Sequence, residues 1–277
     1  LWNGLRPVFA DIDPVTLTLD PDHVEQLIGP NTTAIVPVHV YGIPCQVERL
    51  QRIAERHGVK LIYDAAHAFG VNDQGGSVLR HGDMSILSFH ATKVFTTFEG
   101  GALVCRDAAT KAHVDHLKNF GFTDEVTVVA AGINAKMNEL QAAIGLLQLR
   151  HVDETRQRRQ RIDELYRREL ADVPGITCVA WPSHATANYG YFPIRVGAGC
   201  SRTRDGLYEY LRAQGVIVRR YFYPLISEFP MYRDLASAAP AHLPVAHAVA
   251  REILCLPIHA QMEPEAAMRV VELIRGD

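Results

Sequence analysis

Residues Ser85–Val104 read SILSFHATKVFTTFEGGALV. Two apolar segments, Ser85–Phe89 and Gly101–Val104, have strand composition, and a polar run carrying Lys93 lies between them. A lysine in that setting is either a solvated loop charge or an amine held at a strand end. Upstream, VKLIYDAAHAFG (residues 59–70) is a strand running into Asp64, and TAIVPVHV (33–40) is a buried strand type. Helical patterns alternate with these. DPDHVEQLIG (20–29) has an N-cap at Asp20, Pro21 at the first helical position and Gly29 as a stop. CQVERLQRIAERHG (45–58) is amphipathic, with Val47, Leu50, Ile53 and Ala54 on one side and Gly58 at its end. Alternation of this kind predicts an α/β fold, a mostly parallel sheet covered by helices. Ligands of such sheets sit at the carboxyl ends of strands, where Asp64 and Lys93 both lie.

A long helix is expected from about Asn138 to about Ala171, ended by Pro174-Gly175, and a helix of that length commonly links two domains. Beyond it, strands near Tyr189–Val196 and Val216–Phe222 and helices near Thr203–Ala213, Val245–Ile253 and Glu263–Arg275 form a smaller α+β unit. The division is 1–150 for a large domain and 151–277 for the linking helix and small domain. The 277 residues are 48% hydrophobic, enough for a sizeable core, and the net charge is −3, without the basic excess that nucleic-acid binding needs. The basic run RQRRQRIDELYRR (156–168) reads as a solvated helix face. Five scattered cysteines form no C-x-x-C pair, which favours a reducing, cytoplasmic setting and no metal site. No run is long and apolar enough for a membrane span. The opening LWNGLRPVFADID carries no initiator Met and no element start signal, so an N-terminal portion is expected to be absent.

An aspartate and a lysine at neighbouring strand ends suit pyridoxal 5'-phosphate. The amine can form a Schiff base with the aldehyde, and the carboxylate can keep the pyridine nitrogen protonated. Each residue also has a plainer reading. Asp64 can be a cap after a strand, His67 a satisfied core histidine, Ser88 an ordinary strand-end serine, and Gly100-Gly101 a turn rather than a place where backbone meets a ligand.

The order of DAAHAFG (64–70), SFHATKVFTTFEGGALV (88–104) and GINAKMNELQAAIGLLQL (132–149) resembles the DegT/DnrJ/EryC1/StrS family, as do PVFADIDPVTLTLD, PVHVYG, VRRYFYPL and LPIH. The resemblance implies the aspartate-aminotransferase fold (PLP-dependent transferase fold type I) and PLP-dependent amination of nucleotide sugars. It implies Lys93 as the Schiff-base lysine and Asp64 as the partner of the pyridine nitrogen. His67 falls near the ring hydroxyl, where many relatives have Gln, and Ser88 on the phosphate. It also implies a homodimer in which Asn134 of NAKM reaches the neighbouring subunit's cofactor phosphate, with Lys136 on a substrate phosphate. A lysine at 93 argues against the family's sugar dehydratases, which carry histidine there. The wording SFHATKVF is most similar to 4-aminotransferases of dTDP-4-keto-6-deoxyglucose, with glutamate as donor. The alternatives are a 3-aminotransferase and a non-catalytic relative that keeps the fold. The family's Gly-Thr-x-Ala phosphate loop and its ring-stacking aromatic are expected upstream of Leu1.

Overall fold

The computed structural model describes residues 1–276. The first element is α1 (Pro21–Leu27), capped by the Asp20 side chain with Pro21 at its first turn. It ends at Leu27, with Ile28 as its C-cap directly before Gly29. β1 (Ala34–Ile35), α2 (Val47–His57) and β2 (Lys60–Asp64) follow. Gly58 closes α2 at φ 65°, a left-handed position that glycine adopts without a Cβ penalty. The short hairpin β3 (Asn72–Asp73) and β4 (Gly76–Ser77) precedes β5 (Met84–Ser88) and β6 (Gly101–Cys105). The main sheet has the order β1-β2-β5-β6, with β1, β2 and β5 parallel and β6 antiparallel to β5. Leu61, Tyr63, Ser85 and Leu87 alternate onto the face that packs against the buried stripe of α2.

The expected strand 33–40 is cut at Pro37, which has no N–H for the ladder. Pairing resumes beyond it, where the Asp64 N–H donates to the Pro37 carbonyl at 2.9 Å and the His39 N–H to the Asp64 carbonyl at 3.0 Å. These two bonds fix the end of β2.

α3 (Ala108–Lys118) and α4 (Glu139–Leu149) lead to α5 (Val152–Leu170). The single helix expected over 138–171 is thus two helices. The Arg150 and His151 N–H groups donate to the carbonyls three residues back, of Leu147 and Gln148, and tighten the last turn of α4. The two helices also face different surroundings. Gly145 is the one residue of α4 that is buried, whereas α5 buries Ile162, Leu165, Tyr166 and Leu170. The basic run is not wholly solvated either. Arg159 is buried and donates to the Ile258 carbonyl at 2.9 Å, and buried Asp163 pairs with Arg167 at 2.7 Å.

The rest is β7 (Ile176–Cys178), β8 (Phe192–Val196), α6 (Arg204–Ala213), α7 (Pro244–Glu252), β9 (Ile253–Leu256) and α8 (Pro264–Arg275). β7, β8 and β9 form an antiparallel sheet in that order. Val216–Phe222 is not a strand: it makes one bridge, Arg219 with Cys255. The Tyr221 carbonyl is taken by the Tyr41 hydroxyl at 2.6 Å and Pro224 has no N–H, so the ladder cannot lengthen.

One hydrophobic core lies under the β1-β2-β5-β6 sheet and a second lies among α5, α6, α8 and the antiparallel sheet. A third joins them, with Leu17, Tyr41 and Ile43 packed on Val179, Val249, Ile253 and Cys255. Buried Asp11 adds a polar tie: its carboxylate accepts the Val245 and Ala246 N–H groups at 2.9 and 2.8 Å, capping α7 from the other end of the chain. No helix among the described residues is long and apolar enough to cross a membrane.

Candidate active site

The parallel pairing of β2 with β5 aligns Asp64 with Ile86, so the loops leaving both strands emerge at one edge of the sheet. The loop after β5 is closed on itself. The Phe89 carbonyl accepts the Thr97 N–H at 2.9 Å and the Thr96 hydroxyl at 3.1 Å, and the Phe89 N–H donates to the Gly100 carbonyl at 2.9 Å. A Cβ at Gly101 would meet the Leu87 carbonyl oxygen at 2.5 Å, so the glycine pair serves close backbone packing of this loop on its own strand. Three rings bind the loop to the one after β2. Phe69 stacks on Phe95 at 4.5 Å, and Phe89 meets the edge of Phe95 at 4.9 Å. Lys93 is held between these anchors, half-buried.

The other four lysines are exposed and engaged elsewhere: Lys60 with Asp83, Lys111 and Lys118 with Asp115, and Lys136 with the Asn119 side chain. Lys93 has no acidic ion-pair partner among the described residues; its side-chain bond is to the Tyr191 hydroxyl at 3.3 Å. Burial lowers its pKa, and the nearby Asp64 charge partly opposes that. Asp64 accepts the Ala66 N–H through Oδ1 at 3.0 Å and enters no ion pair among the described residues. His67 accepts the Tyr41 N–H at Nδ1 (3.1 Å), so its Nε2 carries the proton, and Nε2 has no hydrogen-bond partner among the described residues. Burial, with the Lys93 charge as a lesser cause, holds the imidazole pKa down to about 3, so the ring is neutral at working pH. Ser88 Oγ ends β5 and accepts the His90 N–H at 3.4 Å.

A carboxylate without an ion-pair partner among the described residues, a weakly held amine and an imidazole N–H therefore lie beside one another at one edge of the sheet. These are the complements of a pyridinium N–H, an aldehyde and a ring hydroxyl, so the donor set fits pyridoxal phosphate. Asn134 and Lys136 are not part of this cluster. Both are exposed, and both contact Asn119, Asn134 by a backbone bridge and Lys136 by a 2.6 Å hydrogen bond.

Sequence reasoning missed a roof of aromatic rings from the second half of the chain. Tyr191 lies 4.6 Å from the His67 ring centroid, and half-exposed Phe222 stacks on His67 at 5.4 Å. The Asn188 side chain donates to the His67 and Phe69 carbonyls at 2.8 and 2.9 Å. The aromatic density of NYGYF and RRYFY was the available signal.

A profile of the DegT/DnrJ/EryC1/StrS aminotransferase family matches residues 1–275. The chain belongs to this family. It is 48% identical to the dTDP-4-amino-4,6-dideoxy-D-glucose transaminase of Escherichia coli, covering 100% of this chain and 75% of the relative. It is 36% identical to the erythromycin biosynthesis sensory transduction protein EryC1 of Saccharopolyspora erythraea, covering 99% and 73%. The crystal structure of DesI with its TDP-sugar product superimposes with a TM-score of 0.93 at 40% identity, over 99% of this chain and 69% of that one. The aminotransferase family membership, the fold and the pyridoxal-phosphate dependence expected from the sequence thus hold.

The neutral His67 has a measurable consequence. Its ordinary pKa near 6.5 applies to the unfolded chain, which therefore binds one more proton than the folded chain between pH 6.5 and about 3. Stability is fully present above pH 6.5 and falls as pH drops through that window. Urea unfolding of cofactor-free protein should show His67→Gln losing less stability than wild type, by about 1.4 kcal/mol per pH unit between pH 6 and 4. Parallel pH curves for the two proteins would contradict a neutral, buried imidazole.

Proposed function

We propose that this aminotransferase aminates C4 of a keto-deoxy nucleotide sugar of the dTDP-4-keto-6-deoxyglucose type, with glutamate as donor and Lys93 as its catalytic residue. The E. coli relative and DesI, at 48% and 40% identity, support the sugar class and ring position. The convergence of Lys93, Asp64 and His67 at one edge of the sheet carries the reading. When bound, the cofactor supplies an electron sink for the pair left at Cα of the donor. Asp64 is the group to hold a proton on the pyridine nitrogen, since an adjacent carboxylate favours the charged form. His67 Nε2–H would donate to the ring hydroxyl, and Ser88 Oγ would hold the phosphate. The Lys93 amine, its pKa lowered by burial, becomes a neutral base at lower pH than a solvated lysine and takes the proton from Cα.

We divide the chain near residue 150 into a cofactor-binding domain and a small domain, in keeping with its two separate main cores. The scattered cysteines favour the cytoplasm. We also propose a homodimer in which Asn134 and Lys136 serve the partner's site, on its cofactor phosphate and a substrate phosphate. Residues 120–149 expose Val126 at 83%, Leu140 at 73%, Ile133 at 68% and Leu146 at 66%, a density of apolar surface that a monomer rarely carries.

Incubation of the loaded enzyme with glutamate and a panel of 3-keto and 4-keto nucleotide sugars, read by mass spectrometry, should give amination of the 4-keto-6-deoxy sugar. Turnover confined to 3-keto sugars would reject the assigned ring position. Light scattering should give twice the chain mass, with Leu140→Asp shifting it toward the monomer; a fully active monomer would reject the shared site.

A further inference from the structure

Lys93 receives its side-chain partner from 98 residues away: Tyr191 Oη lies 3.3 Å from Lys93 Nζ. Tyr191 immediately precedes β8, whose first residue, Phe192, is fully buried in the second core. The Tyr191 ring is gripped from several sides, by Tyr41 at 5.9 Å, His67 at 4.6 Å and Tyr221 at 6.1 Å. Three residues earlier, Asn188 pins the same strand approach to the carbonyls of the loop after β2 and accepts the Gly190 N–H at 3.0 Å. The phenol oxygen is thus fixed by its surroundings. The Lys93 amine sits on a flexible four-carbon stem and gains direction only from what it bonds.

Resting on the reading of Lys93 as the catalytic amine, we infer that Tyr191 is a positioning residue: its phenol oxygen accepts from the free Lys93 ammonium, holds it at this edge of the sheet and sets the pH at which it becomes a base. Burial raises the phenol's own pKa, so the hydroxyl stays neutral while the amine titrates. The other groups facing this pair are Asp64 and His67 beside Lys93, and Arg159, Tyr221 and Cys255 beside Tyr191. A hydrogen bond to a charged donor is stronger than one to its neutral form, so the contact favours the ammonium. Tyr191 also brings a group from the second half of the chain onto the amine of the first half.

The test measures the amine directly in cofactor-free full-length protein. Trace labelling with acetic anhydride across pH, followed by peptide mass spectrometry, gives the titration midpoint of Lys93. Tyr191→Phe keeps the ring and removes the oxygen. Its Lys93 midpoint should fall by about one pH unit, or about tenfold more neutral amine below the midpoint. Tyr41→Phe, which loses a hydroxyl bonded to the Tyr221 carbonyl, should leave the midpoint in place. If Tyr191→Phe does not melt cooperatively, 3-fluorotyrosine at 191 weakens the oxygen as an acceptor and should move the midpoint the same way, by less. An unmoved Lys93 midpoint in the folded Tyr191 variant would overturn the inference. That result would leave the proposed function standing, because no cofactor or turnover enters the measurement; the loss of amination in Lys93→Ala tests the function separately.

Discussion

Three phenylalanine rings set the separation of the acid and the amine. Phe69 follows His67 on the loop after β2, Phe89 ends the apolar run of β5, and Phe95 stands two residues after Lys93. Their stacked and edge-on contacts lock the two loops together. Each such pair contributes about 0.5–1.5 kcal/mol beyond its buried area. The lock extends outward. A Cβ at Gly145, the buried residue of α4, would come within 2.9 Å of Thr97 and 3.6 Å of Phe95. α4 therefore seats its glycine on the lysine loop and leaves its leucines outside.

The same constraint explains the electrostatics. A lysine held against aromatic rings loses hydration, which disfavours its charged form, while the carboxylate at the end of β2 partly restores it. His67 experiences the burial without a compensating acid and stays neutral. An amine poised to change protonation thus stands beside a carboxylate and an imidazole N–H. In the amination we propose, such a set would move one proton on and off carbon.

The elements that hold Asp64, His67, Ser88 and Lys93 were legible because parallel register and strand-end placement are local matters. These four residues lie within thirty positions of one another, at or just beyond the ends of two strands that are neighbours in the sheet. Helix caps at Asp20 and Gly58 were legible for the same reason: each acts within a turn of itself. What escaped was non-local. Arg159 looks like a solvated charge until the Ile258 carbonyl arrives from 99 residues away. Val216–Phe222 has strand composition, but its hydrogen-bonding groups are used by Tyr41 or missing at Pro224. The helix over 138–171 breaks because α5 finds a core and α4 does not, a difference that periodicity alone does not carry. Tyr191 and Phe222 reach His67 only after the two halves of the chain have packed. Asn134 and Lys136 have no counterpart at the Lys93 site of their own chain, and their roles came from family resemblance alone.

The most direct test of the account is where the cofactor attaches. The protein is loaded with pyridoxal phosphate, reduced with borohydride, digested and mapped by mass spectrometry. The account predicts a reduced cofactor on Lys93 alone, with Lys60, Lys111, Lys118 and Lys136 unmodified, and no adduct in Lys93→Ala. An adduct on any of the other four lysines, or stoichiometric cofactor bound without an adduct on Lys93, would contradict it.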